Sequence, residues 1–183
     1  MDTTTIAKSK IGMLLIMGLA AGMESRPRYR FWGPKYILKG AGIQPGQSVL
    51  EVGCGTGYFT LPIIELIGEQ GSLVAMDVLP ESIELVSSKI KKGNLKNVSV
   101  IEGNALDTGL EAGKFDTVLL FGVIPAPMLP LAKLLPEMHR VLKAGGNLAV
   151  WPSVPGWLPH SISKSNLFQL VHKMNGVLNF VRT

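Results

Sequence analysis

The sequence of 183 residues predicts an α/β domain built on a parallel sheet with helices on both faces. Three observations predict it. Between residues 48 and 151, short apolar strand-like segments alternate with segments of helical periodicity. One of these strands runs directly into a loop with glycine at every second position, Gly53-Cys54-Gly55-Thr56-Gly57, and a helical pattern follows it. The tail then breaks the alternation. Phe168 to Lys173 and Val177 to Val181 flank Asn175-Gly176, the favoured two-residue hairpin turn.

The chain opens on an arm, residues 1–33, ahead of the domain at 34–183. Ile11 to Met23 is uncharged and mostly apolar, but too short to span a bilayer, which needs about 20 residues. Lys8 and Lys10 before it and Ala20-Ala21-Gly22 at its end imitate a secretory signal peptide. Met13, Met17 and Ala20 instead recur at helical spacing. The expectation is a helix packed on the domain, over its cleft or against a second subunit. Contact with a membrane surface or a lipophilic substrate is the other reading. Arg26, Arg28 and Arg30 alternate with Pro27, Tyr29 and Phe31, which reads as a solvated arm or as an anion site.

Pro34 can start a short helix reaching Lys39, stopped by Gly40 and Gly42. Gln44-Pro45-Gly46-Gln47 is a turn. Ser48 to Val52 is a buried strand, Tyr58 to Ile67 a helix with Pro62 near its first turn, and Ser72 to Met76 a second strand. Pro80 to Ile90 is a helix with Ile83, Val86 and Ile90 on one face. Val98 to Ile101 and Phe115 to Phe121 are the third and fourth strands. Leu129 to Leu142 is a helix closed by Gly145-Gly146, and Asn147 to Trp151 is the fifth strand.

Composition narrows the function. Apolar residues make up 46% and charged residues 17%, which is globular and slightly greasy. Cys54 is the only cysteine, so neither a disulfide framework nor a cysteine metal site is expected, and three scattered histidines make a zinc site unexpected. A reducing, cytoplasmic compartment fits. Residues 1–40 hold seven basic and two acidic side chains and so the whole net charge of +5. The remainder is neutral, which argues against a broad nucleic-acid-binding face.

The chemistry concentrates in Val49 to Gly57. The glycines permit a tight turn and let a ligand lie against the backbone, and the helix behind them offers unpaired N–H groups. Asp77, at the end of the second strand, is placed to accept both hydroxyls of a ribose. Glu51 lies inside the strand before the loop. A buried acid there needs partners, which suggests that it holds the loop or an ammonium group. The G-x-G-x-G spacing differs from the G-x-G-x-x-G of nicotinamide and flavin enzymes.

With this motif, Asp77, Gly103-Asn104-Ala105, Phe115-Asp116-Thr117-Val118 and Leu142-Lys143-Ala144-Gly145-Gly146, the chain resembles the class I S-adenosylmethionine-dependent methyltransferases from about residue 34 to 182. More narrowly it is similar to the small-molecule branch that includes ubiquinone and menaquinone biosynthesis enzymes. The resemblance implies a Rossmann-like three-layer sandwich with a seven-stranded, mostly parallel sheet whose last strand is antiparallel. It implies S-adenosylmethionine as cofactor and S-adenosylhomocysteine as product. Glu51, Gly53, Cys54, Gly55 and Gly57 would cradle the methionine part, Asp77 the ribose, and Asn104 with Ala105 the adenine. Asparagine stands at 104 where the family usually has aspartate, and its carbonyl oxygen can still meet the adenine amino group. Val78, Phe121 and Gly122 join them as candidate cofactor contacts. Tyr58 is a cofactor contact or a core residue.

The expected reaction is in-line methyl transfer to a small acceptor, lipophilic ones included. Phe121-Gly122-Val123-Ile124-Pro125-Ala126-Pro127 lacks the Asn/Asp-Pro-Pro-aromatic motif of nucleobase amino methyltransferases and is apolar. His160, after the fifth strand, is the candidate general base or an ordinary loop histidine; His139 and His172 read as structural or solvated. The second reading is a cofactor-binding regulatory or interaction protein without turnover. Nucleic acid is not an expected partner. Membrane-surface contact through residues 8–32, and with it a location peripheral to the membrane, and a homodimer fit the greasy arm.

Overall fold

The computed structural model describes residues 33–154, 156–157 and 159–183. The apolar segment from Ile11 to Met23, the arginines at 26, 28 and 30, Tyr29 and Trp32 lie outside the described residues.

The elements follow one another as α1 (Pro34–Lys39), β1 (Ser48–Val52), α2 (Thr60–Ile67), β2 (Ser72–Asp77), α3 (Pro80–Lys92), β3 (Val98–Glu102), β4 (Phe115–Phe121), α4 (Leu131–Val141), β5 (Leu142–Trp151), α5 (His160–Ser163), β6 (Phe168–Met174) and β7 (Val177–Arg182). One seven-stranded sheet runs in the order β3-β2-β1-β4-β5-β7-β6. Strands β1 to β5 pair in parallel, and β7 is antiparallel to both β5 and β6. The Rossmann-like sheet expected from the sequence is the sheet observed. Asn175 and Gly176 have φ of 52° and 80°, as a two-residue hairpin turn requires.

Alternation along β1 builds two cores. Leu50 and Val52 pack with Met76, Val118, Leu120, Leu134 and Met138 beneath α4. Val49 points the other way and packs with Ile37, Ile63, Leu73, Val86 and Leu119 beneath α1, α2 and α3. Helices on opposite faces and a sheet between them make three layers. The strand order reverses between β1 and β4, which opens a crevice at their C-terminal ends. α1 is tied to the far edge of the sheet: Asn179 Nδ2 donates to the Gly40 carbonyl (2.7 Å) and Asn175 Nδ2 to the Tyr36 carbonyl (2.7 Å).

Several boundaries move. The helix after the glycine loop starts at Thr60 rather than Tyr58, and the one after β2 continues to Lys92. The largest change concerns Gly145-Gly146. They do not close a helix, because α4 already ends at Val141 and Leu142 turns extended (φ −73°, ψ 146°) to pair with Phe115. The glycines sit inside β5, where the register against β4 shifts between Phe115 and Thr117. Strand pairing outcompetes a further helical turn here because β4 already presents open backbone groups. The four-residue α5 was not visible in the pattern, being shorter than a helical repeat can reveal. Among the described residues, no helix is long and apolar enough to cross a membrane.

Candidate functional site

β1 ends inside the sheet, and its chain must leave it in a tight space. Gly53 and Cys54 both donate their N–H to the Met76 carbonyl (2.7 and 3.0 Å), which pins the start of the loop to β2. Gly53 has φ 75°, and a Cβ on it would overlap Val123 Cγ1. Gly55 has φ 51°, and a Cβ on it would meet nothing within 4 Å. One glycine is therefore demanded by packing, and the next faces open space. Gly57 closes the turn by donating to the Cys54 carbonyl (2.8 Å).

Asp77 sits at the tip of β2, beside this loop. Its Oδ2 accepts from the Gly55 N–H (2.8 Å) and its Oδ1 from the Leu79 N–H (3.0 Å). Each carboxylate oxygen keeps a second lone pair. Burial raises the Asp77 pKa above the usual carboxylate value, against the pull of the Gly55, Leu79 and Val78 N–H groups. Val78 follows, half-buried. Further along the chain, after β3, Gly103 donates to the Asp77 carbonyl (2.9 Å). Asn104 is exposed, with its Oδ1 accepting from the Leu106 N–H (2.9 Å), and Ala105 is buried. At the end of β4, Gly122 donates to the Trp151 carbonyl (2.8 Å) and holds the β4 and β5 exits together.

Glu51 is 3% exposed and faces α2 rather than solvent. The Thr60 hydroxyl, in the first turn of α2, donates to its Oε2 at 2.6 Å. Burial pushes the Glu51 pKa up to about 8, the Thr60 hydrogen bond opposes this, and the Asp77 charge adds to it. Cys54 is buried near this carboxyl, and burial with the charges of Glu51 and Asp77 raises its thiol pKa far above normal. A thiol so held is inert. Among the described residues, no lysine or arginine forms an ion pair with Glu51 or Asp77.

The raised Glu51 pKa has a measurable consequence for the ligand-free protein. Folding raises this pKa from 4.5, so the native state holds the proton more tightly than the unfolded chain. The Glu51 contribution to stability is constant below about pH 4, falls as pH rises toward 8, and reaches its full cost above that. At about 1.4 kcal/mol per pH unit the loss amounts to a few kcal/mol. Glu51→Gln, an isostere of the protonated form, should flatten that slope and raise Tm at pH 9. Melting curves of both proteins from pH 5 to 9 test this, and parallel curves would refute it.

The structure thus brings Glu51, the glycine loop, Asp77, Val78, Asn104, Ala105, Phe121 and Gly122 to the C-terminal ends of four neighbouring strands. Tyr58 is half-buried at the same end, edge-on to Phe59 (4.8 Å between centroids). No described residue orients His160. It opens α5, its ring is exposed, and among the described residues nothing hydrogen-bonds to that ring. His139 instead packs edge-on against Phe168, and the His172 ring lies 3.3 Å from Asn179 Nδ2.

Sequence reasoning missed several contributors. Lys89 reaches back from α3 and donates to the Thr56 carbonyl at 2.7 Å. Phe59 packs edge-on against Phe121 (5.1 Å) and Trp151 (5.9 Å), an aromatic floor beneath the loop. Thr60, as the partner of Glu51, was within reach of sequence reasoning, because it opens the helix behind the buried acid.

A model of the methyltransferase domain matches residues 43–177. The chain is 35% identical over 128 residues to a demethylmenaquinone methyltransferase of Listeria welshimeri, covering 67% of this chain and 53% of that protein. It is 33% identical over 122 residues to the enzyme of the same name from Bacillus cereus, covering 66% and 50%. The chain therefore spans about half the length of these curated relatives. Among solved structures, an S-adenosylmethionine-dependent methyltransferase from Aquifex aeolicus superposes with a TM-score of 0.73 at 22% identity, covering 92% of this chain and 98% of that one. An arsenic(III) S-adenosylmethionine methyltransferase from Chlamydomonas reinhardtii gives a TM-score of 0.56 at 28% identity, covering 82% and 53%.

Proposed function

The chain belongs to the class I S-adenosylmethionine-dependent methyltransferases and is related to the menaquinone type, and from that premise we propose that it transfers the cofactor's methyl group to a small, apolar acceptor. The observation that carries this reading is the buried acid pair, Glu51 and Asp77, without an ion-pair partner among the described residues, the second of them bonded to Gly55, a glycine that faces open space. Such a site suits a ligand that brings positive charge and hydroxyl donors together. S-Adenosylmethionine does so, with an ammonium group, a ribose and a sulfonium, and it supplies an already activated methyl.

The residues divide the work. Asp77 would take the ribose hydroxyls on its remaining lone pairs, and Glu51 would ionise on meeting the ammonium group. Asn104 and Ala105 would line the adenine side. Lys89 holds the loop through the Thr56 carbonyl, and Thr60 holds Glu51. Methyl transfer then requires mainly alignment and exclusion of water. The β4 and β5 exits supply apolar walls for this. Residues 122–130 contain no ionisable side chain, and Ser153 stitches the two exits by donating its N–H to the Ile124 carbonyl (2.8 Å) and its hydroxyl to the Pro125 carbonyl (3.3 Å). The demethylmenaquinone methyltransferase relatives favour the same choice, a lipophilic, quinone-like acceptor.

That no described residue fixes the His160 imidazole as a base suits an acceptor that arrives ionised. It also sustains the second reading, cofactor binding without turnover. Calorimetric titration with S-adenosylmethionine and S-adenosylhomocysteine comes first, with micromolar binding of either expected. A folded protein that binds neither would end the proposal. Release of S-adenosylhomocysteine in the presence of quinone-like acceptors separates an enzyme from a binding protein.

A further inference from the structure

On one side of the site the chain from β3 to β4 must be held from outside, because residues 103–114 form no helix to satisfy their own backbone. These same residues carry Asn104 and Ala105. Their polar groups find partners elsewhere. Inside the segment, Asp107 donates its N–H to the Asn104 carbonyl (3.0 Å), and Leu110 donates to the Thr108 hydroxyl (3.1 Å). The anchors at the far end come from α4. The Glu137 carboxylate accepts from both the Thr108 N–H (2.9 Å) and the Thr108 hydroxyl (2.5 Å). Gly113 donates to the Arg140 carbonyl (2.9 Å).

Glu137 is itself held. Arg140 Nε donates to its Oε2 (2.8 Å) and Arg140 Nη2 to its Oε1 (2.7 Å), a bidentate pair. The Glu137 side chain is 11% exposed in that pair. Hydrogen bonds from Arg140 and Thr108 hold its pKa down to about 2, so it is ionised at neutral pH. An ionised acceptor strengthens each bond to Thr108 and cannot turn into a donor. Four groups then form one chain, from the Arg140 guanidinium through Glu137 and Thr108 to the Leu110 amide, and they join α4 to a segment 29 residues away in sequence. Leu106 and Leu110, on either side of Thr108, pack against the core beneath α4.

We propose that Glu137, oriented by Arg140, is a positioning residue for cofactor recognition: by clamping Thr108 it holds Asn104 and Ala105 as the preformed adenine-side wall of the site. This rests on the reading that residues 104 and 105 face the adenine. The clamp substitutes for the helix that residues 103–114 lack. Without it, the wall must be ordered each time a ligand binds, and that ordering is lost from the affinity.

The test is calorimetric binding of S-adenosylhomocysteine to the full chain and to Glu137→Ala, Glu137→Gln and Thr108→Val, each checked for folding by circular dichroism. Glu137→Ala should raise Kd about tenfold, the loss expected for charge-assisted hydrogen bonds. Glu137→Gln keeps one acceptor and should lose less. Thr108→Val keeps the N–H contact, should lose about threefold, and decides the matter if Glu137→Ala does not fold. Two readouts separate positioning from loss of stability. Hydrogen exchange should quicken at residues 104–110 with the glycine loop unchanged. The preference for S-adenosylhomocysteine over S-inosylhomocysteine, whose purine lacks the amino group, should shrink. Unchanged Kd in the folded variants of a chain that binds the ligand overturns the clamp alone. No binding by the unaltered chain overturns the clamp together with the cofactor reading.

Discussion

Asp77→Ala is expected to weaken S-adenosylhomocysteine binding at least tenfold while leaving a folded protein. The carboxylate has two tasks in this site. It accepts the Gly55 and Leu79 N–H groups, which positions the loop, and its remaining lone pairs are left for two hydroxyl donors. Losing hydrogen bonds to a charged group costs about 1.5–3 kcal/mol each, so a tenfold change is a lower bound. Asp77→Asn separates the tasks. The amide oxygen keeps one backbone N–H and the NH2 group can still donate to a ribose hydroxyl, but that NH2 opposes the second backbone N–H, which cannot accept. An affinity of Asp77→Asn close to that of Asp77→Ala would assign the loss to the loop contacts, and an affinity near that of the unaltered chain would assign it to the ribose. Affinity unchanged in Asp77→Ala would remove Asp77 from the site.

Gly53→Ala should be the most destabilising single substitution in the loop, by about 3 kcal/mol, or close to 10 °C in Tm. Two costs combine. A non-glycine residue at φ 75° is strained by about 1–2 kcal/mol, and the new methyl overlaps Val123 Cγ1. Overpacking of this kind costs about 1–3 kcal/mol. Val123→Ala in the same chain should recover the packing part and leave the backbone part, a double-mutant cycle with a positive coupling. No recovery would mean that Val123 is not the obstacle. Gly55→Ala gives the contrast. Its Cβ meets nothing among the described residues, so its stability loss should be smaller and its loss of cofactor affinity larger. Equal effects at 53 and 55 would contradict the division between a packed glycine and an open one.

Much of the frame was legible because it rests on local properties of the chain. Short apolar strands, the Asn175-Gly176 turn and Asp77 at a strand tip can each be read within a window of a few residues. The boundary of α4 was misjudged for the opposite reason. Whether Leu142 continues a helix or joins a strand depends on Phe115 being there to pair with it, and no window around residue 142 contains Phe115. Lys89 was missed in the same way. On an amphipathic helix it reads as a solvated lysine, and only the folded chain brings its Nζ to Thr56, 33 residues away in sequence.

The sequence by itself determined the sheet, the glycine loop and the acid opposite it, since strand periodicity and the need for positive φ are carried by adjacent residues. The tertiary structure alone decided what supports the site. Val123 packs on Gly53, Lys89 bonds to Thr56, and Glu137 grips Thr108. It also decided the protonation of Glu51, because a carboxyl's pKa depends on how much water and charge surround it. Those surroundings are assembled from distant parts of the chain, and only folding brings them together.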